Sequence, residues 1–128
     1  LPYRWFTRPG TRTIYLPDEH DHLSRLFASQ ARAVVTKHGP GSPAEEMATS
    51  LRVRSGEFAA LWERHEIGVR PRATKTFLHP DVGRLDLTCQ TLVDPEDGHF
   101  LLVYTAIPGS ESHDRLRLLD VLASPAGV

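Results

Sequence analysis

The seven histidines of this sequence are the first residues to consider for metal binding or proton transfer. His20 and His22 lie closest together along the chain, but side chains two residues apart on a helix point to different faces. No His-x-x-x-His pair and no cysteine ligand completes a zinc-type set. Asp18, Glu19 and Asp21 beside them are typical of the first turn of a helix. The pattern therefore predicts a solvated helix start and no metal site.

Two further residues each have two interpretations that the sequence leaves open. His79 shares a strand face with Phe77 and directly precedes a tight turn. Its ring either donates to a backbone carbonyl and pins that turn, or faces a crevice and binds the head group of a ligand. Trp62 belongs to an apolar helical stripe with Phe58 and Leu61, and is either a core residue or the wall of a crevice.

Nucleophilic catalysis and cofactor binding have no matching motif in the chain. Residues 109–112, GSES, lack the Gly-x-Ser-x-Gly pattern of a serine elbow and are typical of a turn followed by a helix cap. Cys89 alternates with Leu85 and Leu87, which is typical of a small buried hydrophobic residue. Neither Gly-x-Gly-x-x-Gly nor Gly-Lys-Ser/Thr occurs. We therefore expect no enzymatic activity and no cofactor.

The length, net charge and cysteine content of the chain limit its number of domains and its possible partners. A chain of 128 residues suits one domain, and a formal net charge of -1 gives no global attraction to nucleic acid or to anionic membranes. The basic run VRPRATK at residues 69–75 leaves local anion binding open. A single cysteine excludes an intrachain disulfide and favours the reducing cytoplasm. No stretch reaches the roughly 18 to 20 apolar residues that span a bilayer, so no membrane partner is expected.

Helical periodicity dominates the first half of the sequence. A short helix and a turn, with aromatic residues packed on the body, are predicted for residues 1–16. A helix of about twenty residues follows, capped by Asp18 and stopped at Gly39. Ser42 and Ser55 are predicted to cap two more helices, the first as a capping box with Glu45. The last of these carries Phe58, Leu61, Trp62 and His65 on one face and is closed by Gly68.

Strand periodicity begins after Pro71. Strands are predicted at residues 74–79, 84–89 and 99–107, joined by turns at 80–83 and 94–98. The third strand is apolar on both sides, which predicts cover on two faces. A final helix carries Leu116, Leu119 and Leu122 as a stripe. The order predicts an α+β fold, an antiparallel sheet packed against helices, with a crevice suited to a small apolar ligand.

Three motifs in order resemble one known family. They are RSGEFAALWERHEI at residues 54–67, KTFLHPDVGRLDL at 75–87 and LVYTAIPGS at 102–110. Together they resemble the ligand-binding domain of MmyB-like transcription regulators, and the likeness extends more loosely over nearly the whole chain. The resemblance implies a PAS-like fold, attached C-terminal to a helix-turn-helix DNA-binding domain of the XRE type, and a fatty-acid-like ligand in an apolar cavity.

The resemblance also carries expectations about what is absent. The family has a DNA-binding domain and a strand-forming stretch ahead of the residues seen here. We therefore expect a sheet that lacks its N-terminal strands, and DNA contact only through the missing domain. Six residues are the candidate ligand-binding set: Trp62, His65, Phe77, His79, Leu87 and Tyr104.

Two functions from different classes follow. The leading hypothesis is a single sensor domain, residues 1–128, that binds an apolar effector and shifts an attached DNA-binding domain. Its ligand carboxylate would be bound by His79, His65 or a nearby arginine. The alternative is a protein-interaction or dimerisation module, forming a homodimer, with no small-molecule ligand.

Overall fold

The structure, a computed structural model, describes residues 1–96 and 99–124. Contacts within the chain gather in two compact units. The helical unit comprises Leu1–Thr13 and Pro17–Pro71, and the sheet unit comprises Ile14–Leu16 and the chain from Arg72 onward. The fold belongs to the α+β class, as the sequence predicts.

Four α-helices build the helical unit, and short 3₁₀ turns join the first two. They are α1 (Pro2–Thr7), α2 (His20–His38), α3 (Pro43–Arg54) and α4 (Gly56–Glu63). The predicted caps on α3 and α4 are confirmed, because the hydroxyls of Ser42 and Ser55 accept the backbone N–H of Glu45 and Phe58. The predicted stop at Gly39 is also confirmed, with φ at 77°.

Two helix ends differ from the prediction. Asp18 does not cap α2, because it lies in a 3₁₀ turn, Pro17–Glu19, and Glu19 precedes the helix without a side-chain cap. At the other end of the unit, α4 stops at Glu63, well before Gly68. His65 follows the helix with φ at 53° and is exposed, so its predicted place on the α4 face is wrong.

Aromatic residues fill the core of the helical unit. Trp5 and Phe58 are 1 % and 0 % exposed, and the rings of Phe6 and Phe58 meet edge to face with centroids 5.0 Å apart. Trp5 makes a similar contact with Phe27 at 5.4 Å. The opening segment is therefore packed on the body of its unit, as predicted, and each such aromatic pair adds about 0.5–1.5 kcal/mol beyond its buried area.

Three antiparallel strands form the sheet in the order β1 (Thr74–His79), β2 (Gly83–Val93) and β3 (Phe100–Thr105). The predicted meander is confirmed, and β2 extends four residues beyond its predicted end at Cys89. His79 pairs with Gly83 at the first turn. Asp97 and Gly98, in the second predicted turn, lie outside the described residues.

Strand β3 pairs only with Thr88 to Val93 of β2. Helix α5 (Glu111–Ala123) lies beside the earlier part of β2 and binds its backbone. The backbone N–H of Asp86 donates to the hydroxyl of Ser112 at 2.9 Å, and the Arg115 guanidinium donates to the carbonyl of Arg84 at 2.8 Å. These two side chains satisfy backbone groups that a neighbouring strand would otherwise bind.

The core of the sheet unit is small. Val82, Leu85 and Leu87 are buried, and Leu116 and Leu119 of α5 pack against them. Leu122, the third residue of the predicted stripe, is 56 % exposed and lies outside this core.

The prediction that β3 is covered on two faces is wrong. Phe100, Leu101 and Leu102 are 70 %, 61 % and 46 % exposed. The strand lies at the edge of the described sheet, and α5 packs on β2 rather than on this part of β3. An apolar strand is buried on both faces only where other elements pack on both of them.

Candidate ligand-binding site

One face of the sheet collects most of the predicted site residues. Cross-strand partners share a face, and so do alternate residues along a strand. Lys75 pairs with Leu87, Phe77 with Leu85, and Cys89 with Tyr104. The face formed in this way, called the aromatic face below, consists of Lys75, Phe77, His79, Leu85, Leu87, Cys89, Thr91, Val93, Phe100, Leu102 and Tyr104.

Three aromatic rings form a row at this face. The Phe77 ring lies between Tyr104, edge to face at a centroid distance of 5.3 Å, and Tyr15, at 5.4 Å. Tyr15 is fixed in place by a backbone bridge to Phe77 on the outer edge of β1. All three side chains are half-buried, so the row has a packed side and an accessible side. Such a row offers a rigid apolar wall with two hydroxyl groups.

The hydroxyl groups of this wall stay protonated at neutral pH. Burial, followed by the neighbouring Cys89 and Tyr15, raises the pKa of Tyr104 to about 12. Burial also raises the pKa of Tyr15. Both phenols therefore keep the proton that makes them hydrogen-bond donors, and the side chain of Cys89 lies within hydrogen-bond reach of the Tyr104 hydroxyl.

An ammonium group lies beside the wall. The Lys75 Nζ is 5.6 Å from the centroid of the Tyr104 ring, within the range of a cation–π contact. Lys75 is half-buried, which is usual for a lysine because its stem is apolar and its ammonium prefers water.

The part of the aromatic face beyond Tyr104 is an exposed apolar strip. Leu102, Phe100 and Val93 point to the same side and are 46 %, 70 % and 55 % exposed. From Cys89 to Val93 the strip follows four residues of β2, about 13 Å. The face therefore combines an apolar strip, an aromatic wall and a cation.

His79 lies at the other end of the face and has a local role. Its ring Nδ1 accepts the backbone N–H of Asp81 at 3.1 Å. Of the two interpretations, pinning of the turn is the one with a contact in the structure, although the ring accepts a hydrogen bond from an amide instead of donating one to a carbonyl. A role of His79 in ligand binding stays a prediction.

A concavity of about 380 Å³ lies beside the start of α5, apart from the aromatic face. Its charged groups already have partners, because Arg84 lies 3.1 Å from Asp86, and Arg115 binds both Glu111 and the Arg84 carbonyl. Hydrogen bonds from Arg84 and Thr76 hold the pKa of Asp86 below its ordinary value. This groove suits a small polar group better than an apolar chain. Its lining is Arg84, Asp86, Ile107, Ser110, Glu111, Ser112 and Arg115.

Comparison with known proteins gives one family and no individual relative. Residues 1–119 match the family model described as MmyB-like transcription regulator ligand binding domain. The chain belongs to this family. No curated protein and no solved structure matches it. The resemblance carried by the three sequence motifs is therefore confirmed, whereas the PAS-like fold stays a prediction.

The MmyB-like domain places the six predicted site residues in two groups. Phe77 and Tyr104 touch on the aromatic face, and His79 lies on the same face. Leu87 is 5 % exposed and belongs to the buried cluster against which both rings pack. Trp62 and His65 belong to the helical unit.

Trp62 packs within the helical unit of the MmyB-like domain. Its ring lies 5.5 Å from that of Phe58, and the Arg32 guanidinium stands 4.1 Å above it while donating to the Trp62 carbonyl. The structure thus gives this half-buried indole the contacts of a packed residue. Whether it also contacts a ligand stays a prediction.

Sequence reasoning missed both the cation of the aromatic face, Lys75, and the ring that packs beside the face, Tyr15. Lys75 follows the same alternation as Phe77 and His79, so the signal was present but was not used. Tyr15 had no local signal, because it reaches Phe77 from a segment about sixty residues earlier in the sequence.

Two further findings concern metals and membranes. Within residues 1–96 and 99–124, no three His, Cys, Asp or Glu side chains come together in a way that could hold a metal ion. Over the same residues, none of the helices has the length and apolar character needed to cross a membrane.

His20, predicted at a solvated helix start, is half-buried instead and packs edge-on against Trp5.

Proposed function

We propose that this regulator ligand-binding domain is a sensor of a bacterial transcription regulator and that its effector is a fatty-acid-like molecule. The observation that carries the proposal is the aromatic face, where an apolar strip and an aromatic wall are partly open and bordered by a cation. An acyl chain laid on this face would gain about 0.8 kcal/mol for each methylene group removed from water.

Sensing requires that the ligand bind one conformation better than another. In our proposal the effector shifts a preceding helix-turn-helix domain of the XRE type, which makes the DNA contacts, in the cytoplasm. The domain itself performs no catalysis. A net charge of -1 supports the assignment of DNA binding to another part of the regulator.

A second candidate function is assembly of two copies without a small molecule. It is favoured by three exposed apolar side chains on α5, Leu118, Val121 and Leu122, at 49 %, 68 % and 56 % exposure. Sedimentation velocity with and without a Val121→Glu substitution tests it. A dimer that the substitution dissociates, in a protein that binds no fatty acid, would favour assembly over sensing.

Ligand binding is tested with dodecanoic acid and a matched pair of variants. Leu102 and Leu101 are neighbours on β3 with similar exposure, but they point to opposite faces of the sheet. We expect Leu102→Gln to weaken binding by about 1 kcal/mol, or about fivefold, because it removes apolar contact on the aromatic face. Leu101→Gln should leave the affinity unchanged.

Isothermal titration calorimetry measures both affinities, and native mass spectrometry of the purified chain reports any lipid carried from the cell. Equal loss in the two variants would mean that the aromatic face is not the site. A wild-type chain that takes up no fatty acid would rule out the proposed effector class.

A further inference from the structure

We infer that Lys75, with the ring of Tyr104 beside it, binds the carboxylate of the effector and makes the site selective for acids over neutral lipids. The inference rests on the proposed function, because it names the group that recognises the polar end of the same ligand. It also replaces the residues expected from the sequence, since Lys75 was not among them.

The ammonium group of Lys75 is available to bind an anion. Its ammonium has the Tyr104 ring as a neighbour and, within residues 1–96 and 99–124, no carboxylate within ion-pair distance. Two other cations of the sheet unit differ. Arg84 and Arg115 are occupied by Asp86 and Glu111. Among the described residues of the aromatic face, Lys75 is therefore a cation that an acidic ligand would find over an aromatic ring and without a bound anion.

The position of Lys75 suits the end of a chain rather than its middle. On one side lie the ring of Tyr104 and, past it, the exposed Leu102 and Phe100. An acyl chain along this strip brings its carboxylate to the ammonium without crossing a charged residue. The cation–π contact limits the motion of the ammonium, which lowers the entropy cost of binding.

Tyr104 supplies the second donor. Its ring lies against the Lys75 ammonium, so a carboxylate bound by that ammonium also lies near the protonated phenol, which can exchange its contact with Cys89 for one with the ligand. The alcohol or ester of the same chain length would keep the apolar contacts and lose the charged hydrogen bond. The pair therefore predicts selectivity for acids at equal chain length.

The alternative is that Lys75 is a solvated lysine whose contact with Tyr104 only helps to pack the sheet. In that case its removal changes stability and leaves the preference between acid and alcohol untouched. The ratio of the two affinities distinguishes these roles, because a purely structural effect weakens both ligands together.

The test compares dodecanoic acid with dodecan-1-ol on the full chain. Lys75→Met is expected to weaken the acid about tenfold and to leave the alcohol within about twofold, because only the acid loses a charged partner. Lys75→Arg should restore the acid, and Tyr104→Phe should give an intermediate loss. The chain has one other lysine, Lys37, which is exposed on α2, and Lys37→Met is the control with the same change of charge.

Each result has one meaning. An unchanged ratio of acid to alcohol affinity in Lys75→Met, with both ligands bound by the wild type, overturns the role of Lys75 and leaves the sensor proposal standing. An equal change of ratio in Lys37→Met overturns it as well, since net charge would then be the cause. Binding of neither ligand by the wild type overturns the proposed function itself.

Discussion

Glu57 links three side chains in the helical unit. Its carboxylate accepts hydrogen bonds of 2.6 Å from Ser24 and from Arg12, and the Ser24 hydroxyl in turn accepts the indole N–H of Trp5 at 2.9 Å. Burial alone would raise the pKa of Glu57, but the hydrogen bonds from Arg12 and Ser24 outweigh it and the pKa is lowered. The charged form of Glu57 is thus the form that the folded state prefers.

This preference makes stability depend on pH. A carboxyl group with a lowered pKa in the folded state stabilises above its unfolded pKa, and the contribution is lost as the pH falls through the folded value. We expect Glu57→Gln to lower the free energy of unfolding by about 1 kcal/mol at pH 7. The difference from the wild type should shrink progressively below pH 5. Urea denaturation across this range measures it.

Glu46→Gln is the control, because Glu46 is exposed on α3. Its effect on the free energy of unfolding should stay within about 0.5 kcal/mol. A deficit of Glu57→Gln that is as large at pH 4 as at pH 7 would show that shape, and not charge, accounts for the loss.

At the scale of elements, the hairpin between β1 and β2 depends on a single backbone conformation. Three residues, 80–82, connect the strands, and Gly83 follows with φ at 80°. A three-residue hairpin loop closed by a residue in the left-handed region is a common arrangement that favours glycine. The His79 ring, bound to the amide of Asp81, stabilises the same turn.

Gly83→Ala should destabilise the protein by about 1–2 kcal/mol, the usual cost of a left-handed residue with a Cβ. A Cβ at this position meets no atom within 4 Å, so the cost is conformational and not steric. Gly10→Ala, which also meets nothing and has no positive φ, is the matched control. Thermal unfolding followed by circular dichroism checks the pair, and equal melting temperatures would contradict the argument.

Elements defined by local chemistry were predictable from the sequence. The hydroxyls of Ser42 and Ser55 cap the helices that follow them, and the alternation around Phe77 gives both the strand and its face. These features depend on neighbours within a few residues, which is the range that periodicity and capping describe.

Features that depend on packing were not predictable. The early end of α4 leaves His65 outside the helix, although the apolar spacing continued to it. The burial expected for β3 required another element to pack on it, and no described element does so at its exposed residues. The contact of Tyr15 with Phe77 joins segments that are distant in the sequence. The candidate site was therefore found in part, through Phe77, His79, Leu87 and Tyr104, while its cation and one of its aromatic rings were missed.

At the scale of the whole molecule, surface charge and exposed apolar area act together. The formal net charge is -1 at pH 7, which gives little electrostatic repulsion between copies. The edge strand β3 carries no charged residue, and the side chains at its start are largely exposed. An uncharged, exposed edge strand is a template for pairing with other chains.

A charge on β3 should therefore reduce self-association. We expect Leu101→Lys to lower light scattering at a given concentration several-fold at pH 7, while leaving the melting temperature nearly unchanged, because the side chain is 61 % exposed. Val53→Lys adds the same charge at a position that is 84 % exposed on α3 and tests the effect of net charge alone. If both variants reduce scattering equally, net charge governs association, whereas a larger effect at Leu101 assigns it to the edge of β3.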